Sequence, residues 1–172
     1  RISAASFYFI YTIIGSSILF FGLLLIYKFF GVWSLRELFI ISTQFLFTFR
    51  EHSVFFSLEN NFIIFWINLI FFLIFFGICV KIPSFPFYIW LTEAHVEANV
   101  VGSVLLAGLM LKISVYVYIR ICLPFIFLIT DSIKLICCII LIFSIIITSL
   151  QMFHHLDLKR IIAFSSIIHM NI

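Results

Sequence analysis

The sequence predicts an all-α, polytopic transmembrane helix bundle with one proline-broken helix, and three observations carry that reading. First, the 172 residues are 65% hydrophobic and only 10% charged, with mean hydropathy +1.33; an ordinary soluble chain is about half apolar and about a quarter charged. Second, several apolar runs approach the length of about 20 residues needed to cross a hydrocarbon core of about 30 Å. Third, one such run ends in Val80-Lys81-Ile82-Pro83-Ser84-Phe85-Pro86-Phe87-Tyr88-Ile89-Trp90. Proline removes a backbone donor and clashes with the preceding turn, so Pro83 and Pro86 should break the helix. Irregular backbone at membrane depth survives only where protein or a water-lined cavity meets the freed groups.

A first span is expected at about 7–27, with Ser6, Thr12, Gly15, Ser16, Ser17 and Gly22 suited to close helix packing. Residues 28–61 are more polar, carrying Lys28, Arg36, Glu37, Arg50, Glu51 and Glu59. Within them the apolar run Leu38 to Phe49 is too short to span and reads as an interfacial or re-entrant helix. The second span covers 62–91, broken at 81–86. Asn61 to Val80 alone is about 30 Å of helix, so Lys81 sits either at the far surface or, if both halves make one crossing, near mid-depth. A third span at 100–119 holds Lys112 well inside, with Arg120 and Pro124 ending it. A fourth occupies 132–150, its interior carrying Ser144, Thr148 and Ser149 but no charge. After a polar turn with Gln151, His154, His155, Asp157, Lys159 and Arg160, a fifth opens at Ile161, reaches His169 and is cut off at Ile172. All of this reads as a single transmembrane domain over 1–172. There is no initiating methionine or cleavable signal pattern, so the chain is expected to start inside something longer or to be processed.

Composition excludes a water-soluble enzyme, and no nucleophile triad, phosphate loop or haem attachment motif is present. A net charge of +3, scattered along the chain, does not suggest nucleic acid; the surroundings are membrane lipid. Cys79, Cys122, Cys137 and Cys138 lack metal-ligand spacing and read as small hydrophobes. Glu93, His95 and Glu97 lack the two-histidine spacing of a helical zinc site, so no metal is expected. Basic residues fall on both sides of the spans and give no orientation. The bias to phenylalanine and isoleucine is what AT-rich codons, common in organelle genomes, would give.

The polar residues inside the spans need a reason. A mid-helix lysine costs about 2.5–3.5 kcal/mol to insert. Lys112 shares a face with Gly108 and Tyr116, one turn to either side, and burial favours the neutral form of a lysine, which lets it exchange a proton. The bland alternative, a lysine snorkelling to the surface, is awkward for Lys112 and open for Lys81. Glu93 and Glu97 share a helical face, with His95 off it; they form either a solvated helix end or a charged mouth. His169 follows Ser165 and Ser166 on one side of its helix and is either a core histidine bonded to a serine or a proton carrier. Lys81, Lys112 and His169, on three spans, together suggest a polar axis for a proton relay.

The segment Val80 to Ala98, with Lys81, Pro83, Pro86, Trp90, Glu93, His95 and Glu97, resembles the hallmark segment of the proton-pumping, antiporter-like subunits of respiratory NADH:ubiquinone oxidoreductase (complex I), and within them the chain 4 family. The downstream pieces agree in order: Gly102 to Gly108, Leu111-Lys112, and Asp157 to Met170. Nearly the whole chain takes part, including Ala4 to Ser16. Departures are Tyr88 where the family usually has histidine, Thr92 and Asn99 where it has proline, Phe164 where it has tyrosine, and Ser114 and Val115 where glycines are typical.

The resemblance implies Lys81 near mid-membrane, paired with a glutamate of an earlier helix, Lys112 as the central relay, and His169 leading to a later charged residue. Tyr116, Ser165 and Ser166 would support the path. It implies a membrane-arm subunit of an NADH:ubiquinone reductase that relays protons and binds no cofactor itself. NADH, FMN, iron–sulfur clusters and ubiquinone would be handled elsewhere in the complex. Partners would be other membrane-arm subunits, with separate chains supplying the missing N- and C-terminal helices. The location would be the mitochondrial inner membrane. Two rivals share the residues: a subunit of a multisubunit sodium/proton antiporter, and a structural remnant without pumping.

Overall fold

In a computed structural model the backbone is described for residues 2–32, 34–51 and 57–172, and the side chains for these except 45–51 and 57–61. Arg50, Glu51 and Glu59 of the polar stretch therefore lie outside the described side chains. The described residues form a helical, membrane-embedded bundle. Helix α1 is Ile2–Phe30, α2 Leu35–Glu51, α3 Ser57–Lys81, α4 Ile89–Glu97, α5 Val100–Phe125, α6 Asp131–Met152 and α7 Leu158–Asn171. Among the described residues, Ile2–Phe30, Phe62–Lys81, Val100–Phe125 and Asp131–Met152 are long and apolar enough to cross a bilayer.

The ends follow local chemistry. Helix α1 outruns the 7–27 expected from hydropathy and stops where Gly31 takes φ 67°, its N–H closing on Tyr27 C=O at 2.8 Å; glycine adopts this left-handed cap without a Cβ penalty. Helix α2 starts after Ser34, whose hydroxyl accepts the Glu37 N–H at 3.2 Å, one half of a Ser-x-x-Glu capping box. Helix α5 does not end at Arg120 as its charge and Pro124 suggest. A wide turn over Tyr118–Cys122 relieves the clash between the proline ring and the carbonyl one turn back, so the helix runs on to Phe125. A second wide turn spans Leu106–Met110.

Lipid gives little drive for apolar burial between helices, so close backbone approach decides packing. The tightest seam is α1 on α3. A Cβ at Gly77 would lie 2.9 Å from Leu19 N and 3.1 Å from Gly15 O, and one at Gly22 would lie 2.7 Å from Ile74 Cγ1. The seam sets Tyr8, Thr12 and Ser16 of α1 beside the end of α3. A core of Phe71, Phe75, Ile78, Cys79, Cys122 and Cys137 joins α3 to α5 and α6. Asn68, in the middle of α3, accepts the Thr130 N–H at 3.2 Å and anchors the turn before α6.

Gly77→Ala should destabilise the fold by about 1–3 kcal/mol, the usual cost of overpacking, although alanine is the better helix former. A thermal melt of the detergent-extracted protein checks this; a raised midpoint would mean the seam is looser than described.

Candidate functional site

Helix α3 ends at Lys81 and helix resumes at Ile89, with Pro83 and Pro86 between. Ile82 N–H still reaches Ile78 C=O at 2.6 Å, after which the regular ladder stops. Cys79 C=O accepts both the N–H and the O–H of Ser84, at 3.1 and 3.0 Å. Val80 C=O accepts the Trp90 indole N–H at 3.0 Å. Phe85 N–H, which in an unbroken helix would bond Lys81 C=O, donates instead to Ser144 Oγ of α6 at 2.9 Å. Ser84 and Ser144 are fully buried and Trp90 nearly so. Phe85–Pro86 is a cis peptide. Protein side chains thus meet backbone groups that the prolines set free.

Beside the break, Lys81 borders a cleft of about 290 Å³ between α1, the break and α5. Tyr8, Thr12, Ser16, Trp90 and Ser114 line it with the lysine. Thr12 donates to Tyr8 C=O at 2.8 Å, Ser16 to Ile13 C=O at 3.0 Å and Ser114 to Met110 C=O at 3.2 Å. With their protons committed to their own helices, these hydroxyls keep oxygen lone pairs for the cleft, which suits a cation or a proton-bearing water. Lys81 is half-buried, and among the described residues no carboxylate lies within ion-pair distance of its ammonium.

The other relay candidates stand elsewhere. Lys112 is exposed in this chain, not buried, and is absent from the residues lining the Lys81 cleft. The reason is the helical angle: Ser114, two positions on, is the α5 residue turned inward. Lys112 shares its outward face with Tyr116, whose hydroxyl accepts Arg120 Nε–H at 3.3 Å. His169 is likewise exposed, and Ser165 and Ser166 donate to Ile162 and Ala163 carbonyls rather than to it, both at 2.7 Å. Among the described residues Lys81, Lys112 and His169 do not line one cavity, and the side chains of Lys112 and His169 are exposed in this chain.

The charged group on α4 packs on the start of α7. Glu93 pairs with Arg160 at 3.6 Å, Arg160 with Asp157 at 3.7 Å, and Lys159 donates to Ala98 C=O at 3.4 Å. Glu97 is exposed and borders a groove of about 600 Å³ with Ala4, Ala98 and Asn99. His95 is buried, and its Nε2 has no partner among the described residues. Burial, helped by the nearby Lys159 ammonium, holds its imidazole below the ordinary histidine range.

The NADH:quinone oxidoreductase/Mrp antiporter transmembrane family model matches residues 1–172. The chain belongs to this family. It is 36% identical over 163 residues to NADH-ubiquinone oxidoreductase chain 4 of Acanthamoeba castellanii, covering 95% of this chain and 29% of that one. It is 37% identical over 172 residues to the chain 4 of Triticum aestivum, covering 100% and 31%. It is also 35% identical over 170 residues to NADH-quinone oxidoreductase subunit M of Rickettsia typhi, covering 99% and 31%. The chain thus spans about three-tenths of the length of these relatives.

Several positions where the chain departs from the usual family residues carry contacts of their own. Tyr88 takes a hydrogen bond from Gln151 Nε2 at 2.5 Å, Thr92 donates to Ile89 C=O at 2.9 Å, and Ser114 supplies a hydroxyl to the Lys81 cleft. Ser144 and Gln151 were not singled out as site residues by sequence, although their spacing with Thr148 puts all three on one face of α6, a legible signal.

The depressed His95 value carries a sign. The unfolded chain, near the ordinary 6.5, takes up a proton before the folded one does. Stability is therefore full above that pH and falls as pH drops through the folded-state value. Melting midpoints measured from pH 8 to pH 5 should decline on the acid side, and His95→Gln should flatten that slope; an unchanged slope would contradict the assignment.

Proposed function

We propose that this chain is a proton-translocating membrane-arm component of an NADH:ubiquinone oxidoreductase, working in the mitochondrial inner membrane and passing protons by way of Lys81, Lys112 and His169. The observation that carries this reading is the Lys81 ammonium: half-buried, without a carboxylate partner among the described residues, and beside a largely apolar cleft into which Tyr8, Thr12, Ser16 and Ser114 bring hydroxyls, where a helix is broken. A cation is costly at that depth, and the residues around it are arranged to meet it with oxygen.

Two opposite unit charges about 4 Å apart attract by about 4 kcal/mol at an effective dielectric near 20, equivalent to about three decades of proton occupancy. An acidic group brought toward the Lys81 ammonium holds its proton, and withdrawal of that group releases it through water in the cleft. Electron transfer elsewhere in the assembly supplies the electrostatic change. Redox chemistry, with NADH, FMN, iron–sulfur clusters and ubiquinone, belongs to partner subunits. Lys112 faces outward from this chain, so its step uses a surface that other membrane-arm segments cover. Glu93, His95 and Glu97, beside α7, form the charged mouth. The rival reading, a multisubunit sodium/proton antiporter, shares the family model; co-purification with flavin and iron–sulfur subunits distinguishes the two.

Lys81→Met or Lys112→Met in the assembled complex should lower proton translocation per electron by about tenfold or more while assembly persists, since each removes a charge that no neighbour replaces. Proton release measured against NADH oxidation in sealed vesicles checks this, and normal stoichiometry in either variant would refute the relay.

A further inference from the structure

The broken segment is held from the side by a helix that carries none of the relay candidates. Along α6, Ser144, Thr148 and Gln151 fall on one face. Ser144 Oγ accepts the Phe85 N–H at 2.9 Å, and Gln151 Nε2 donates to Tyr88 Oη at 2.5 Å, so the face touches the break at its middle and at its end. Thr148 donates to Ser144 C=O at 2.7 Å and is, like Ser144, fully buried. Before Ser144 the helix is uninterruptedly apolar from Leu135 to Phe143.

The Ser144 bond bears directly on Lys81. Phe85 N–H is the donor that a continuous helix would direct at Lys81 C=O. By accepting it, Ser144 draws residue 85 toward α6, while the Trp90 indole fixes the carbonyl of Val80, the residue before the lysine. The Lys81 carbonyl is thereby released from its helical partner. A buried amide left without an acceptor would be costly, so the hydroxyl and the break depend on each other.

We propose that Ser144 is a positioning residue for the proton relay: its hydroxyl replaces the Lys81 carbonyl as the acceptor of the Phe85 amide, and so sets where the Lys81 ammonium stands. The inference rests on the proton-relay reading given above. Ser144 touches no proton on the path; it acts through the backbone of residues 81–85. Gln151, bonded to Tyr88, limits movement at the other end of the break.

The test uses the assembled complex with Ser144→Ala, Ser144→Thr and Lys81→Met. Proton translocation per electron is followed as a function of pH, with assembly checked on native gels. Ser144→Ala should translocate protons about tenfold more slowly, because the part-buried Phe85 amide loses its acceptor, with its pH profile displaced from the parent. Ser144→Thr, which keeps the oxygen, should restore the parental profile. A purely structural serine would lower the amount of complex without displacing the profile of what assembles. If Ser144→Ala does not assemble, Ser144→Cys, of similar size but a weaker acceptor, should show the same displacement at smaller size. A parental profile in the alanine variant, or in the cysteine variant standing in for it, overturns the proposal, as does a threonine variant that assembles but keeps the alanine defect. Lys81→Met separates the two layers: normal translocation there defeats the relay itself, whereas loss there with a parental Ser144→Ala profile defeats only the positioning role.

Discussion

Every distinctive feature of this chain depends on how backbone hydrogen bonds are met where α3 breaks. Prolines at 83 and 86 leave carbonyls and amides without helical partners, and each such group left buried and unmet costs about 1–3 kcal/mol. Ser84 meets Cys79, Trp90 meets Val80, and Ser144 meets Phe85. Those partners come from the break itself, from α4 and from α6, so helices distant in sequence are tied to one point. Lys81 stands at that point. The glycine seam between α1 and α3 then lays the hydroxyls of Thr12 and Ser16 over it.

The link from packing to function runs through the balance between exclusion and access. Apolar helices pack around the break, yet the largely apolar cleft at Lys81 includes the hydroxyls of Thr12, Ser16 and Ser114, whose protons are already committed, leaving acceptor oxygens. Such a lining tolerates a proton or a cation without fixing it in an ion pair. By contrast, Glu93 of α4 pairs with Arg160 of α7, and Arg160 with Asp157 just before that helix. The chain therefore separates this paired, charged group from the Lys81 ammonium, which meets no carboxylate among the described residues.

Much of this was legible in the sequence. Hydropathy and composition gave the bundle, and Pro83 and Pro86 marked the break, because both act locally. Where local signals compete, the sequence misled: Pro124 read as a terminator, but a wide turn over Tyr118–Cys122 absorbs it. Spacing alone placed Lys112 on a polar face with Gly108 and Tyr116, and that face points out of this chain, since periodicity groups residues without saying which group turns inward. Ser144 was visible as a polar residue in an apolar helix, but its role requires knowing that Phe85, far away in sequence, has an amide to give. Tertiary partners of that kind have no local signature.

The central claim is that the Lys81 ammonium is kept at membrane depth to exchange protons with an acidic group that this chain's described residues do not supply. A high-resolution map of the assembled membrane complex, read for the group nearest Lys81 Nζ, tests it most directly. The account predicts a carboxylate from another segment within about 4–6 Å, the range in which one charge governs another's proton, and ordered water in the cleft beneath Thr12, Ser16 and Ser114. An ammonium reaching lipid headgroups, with packed hydrocarbon filling the cleft, would contradict it.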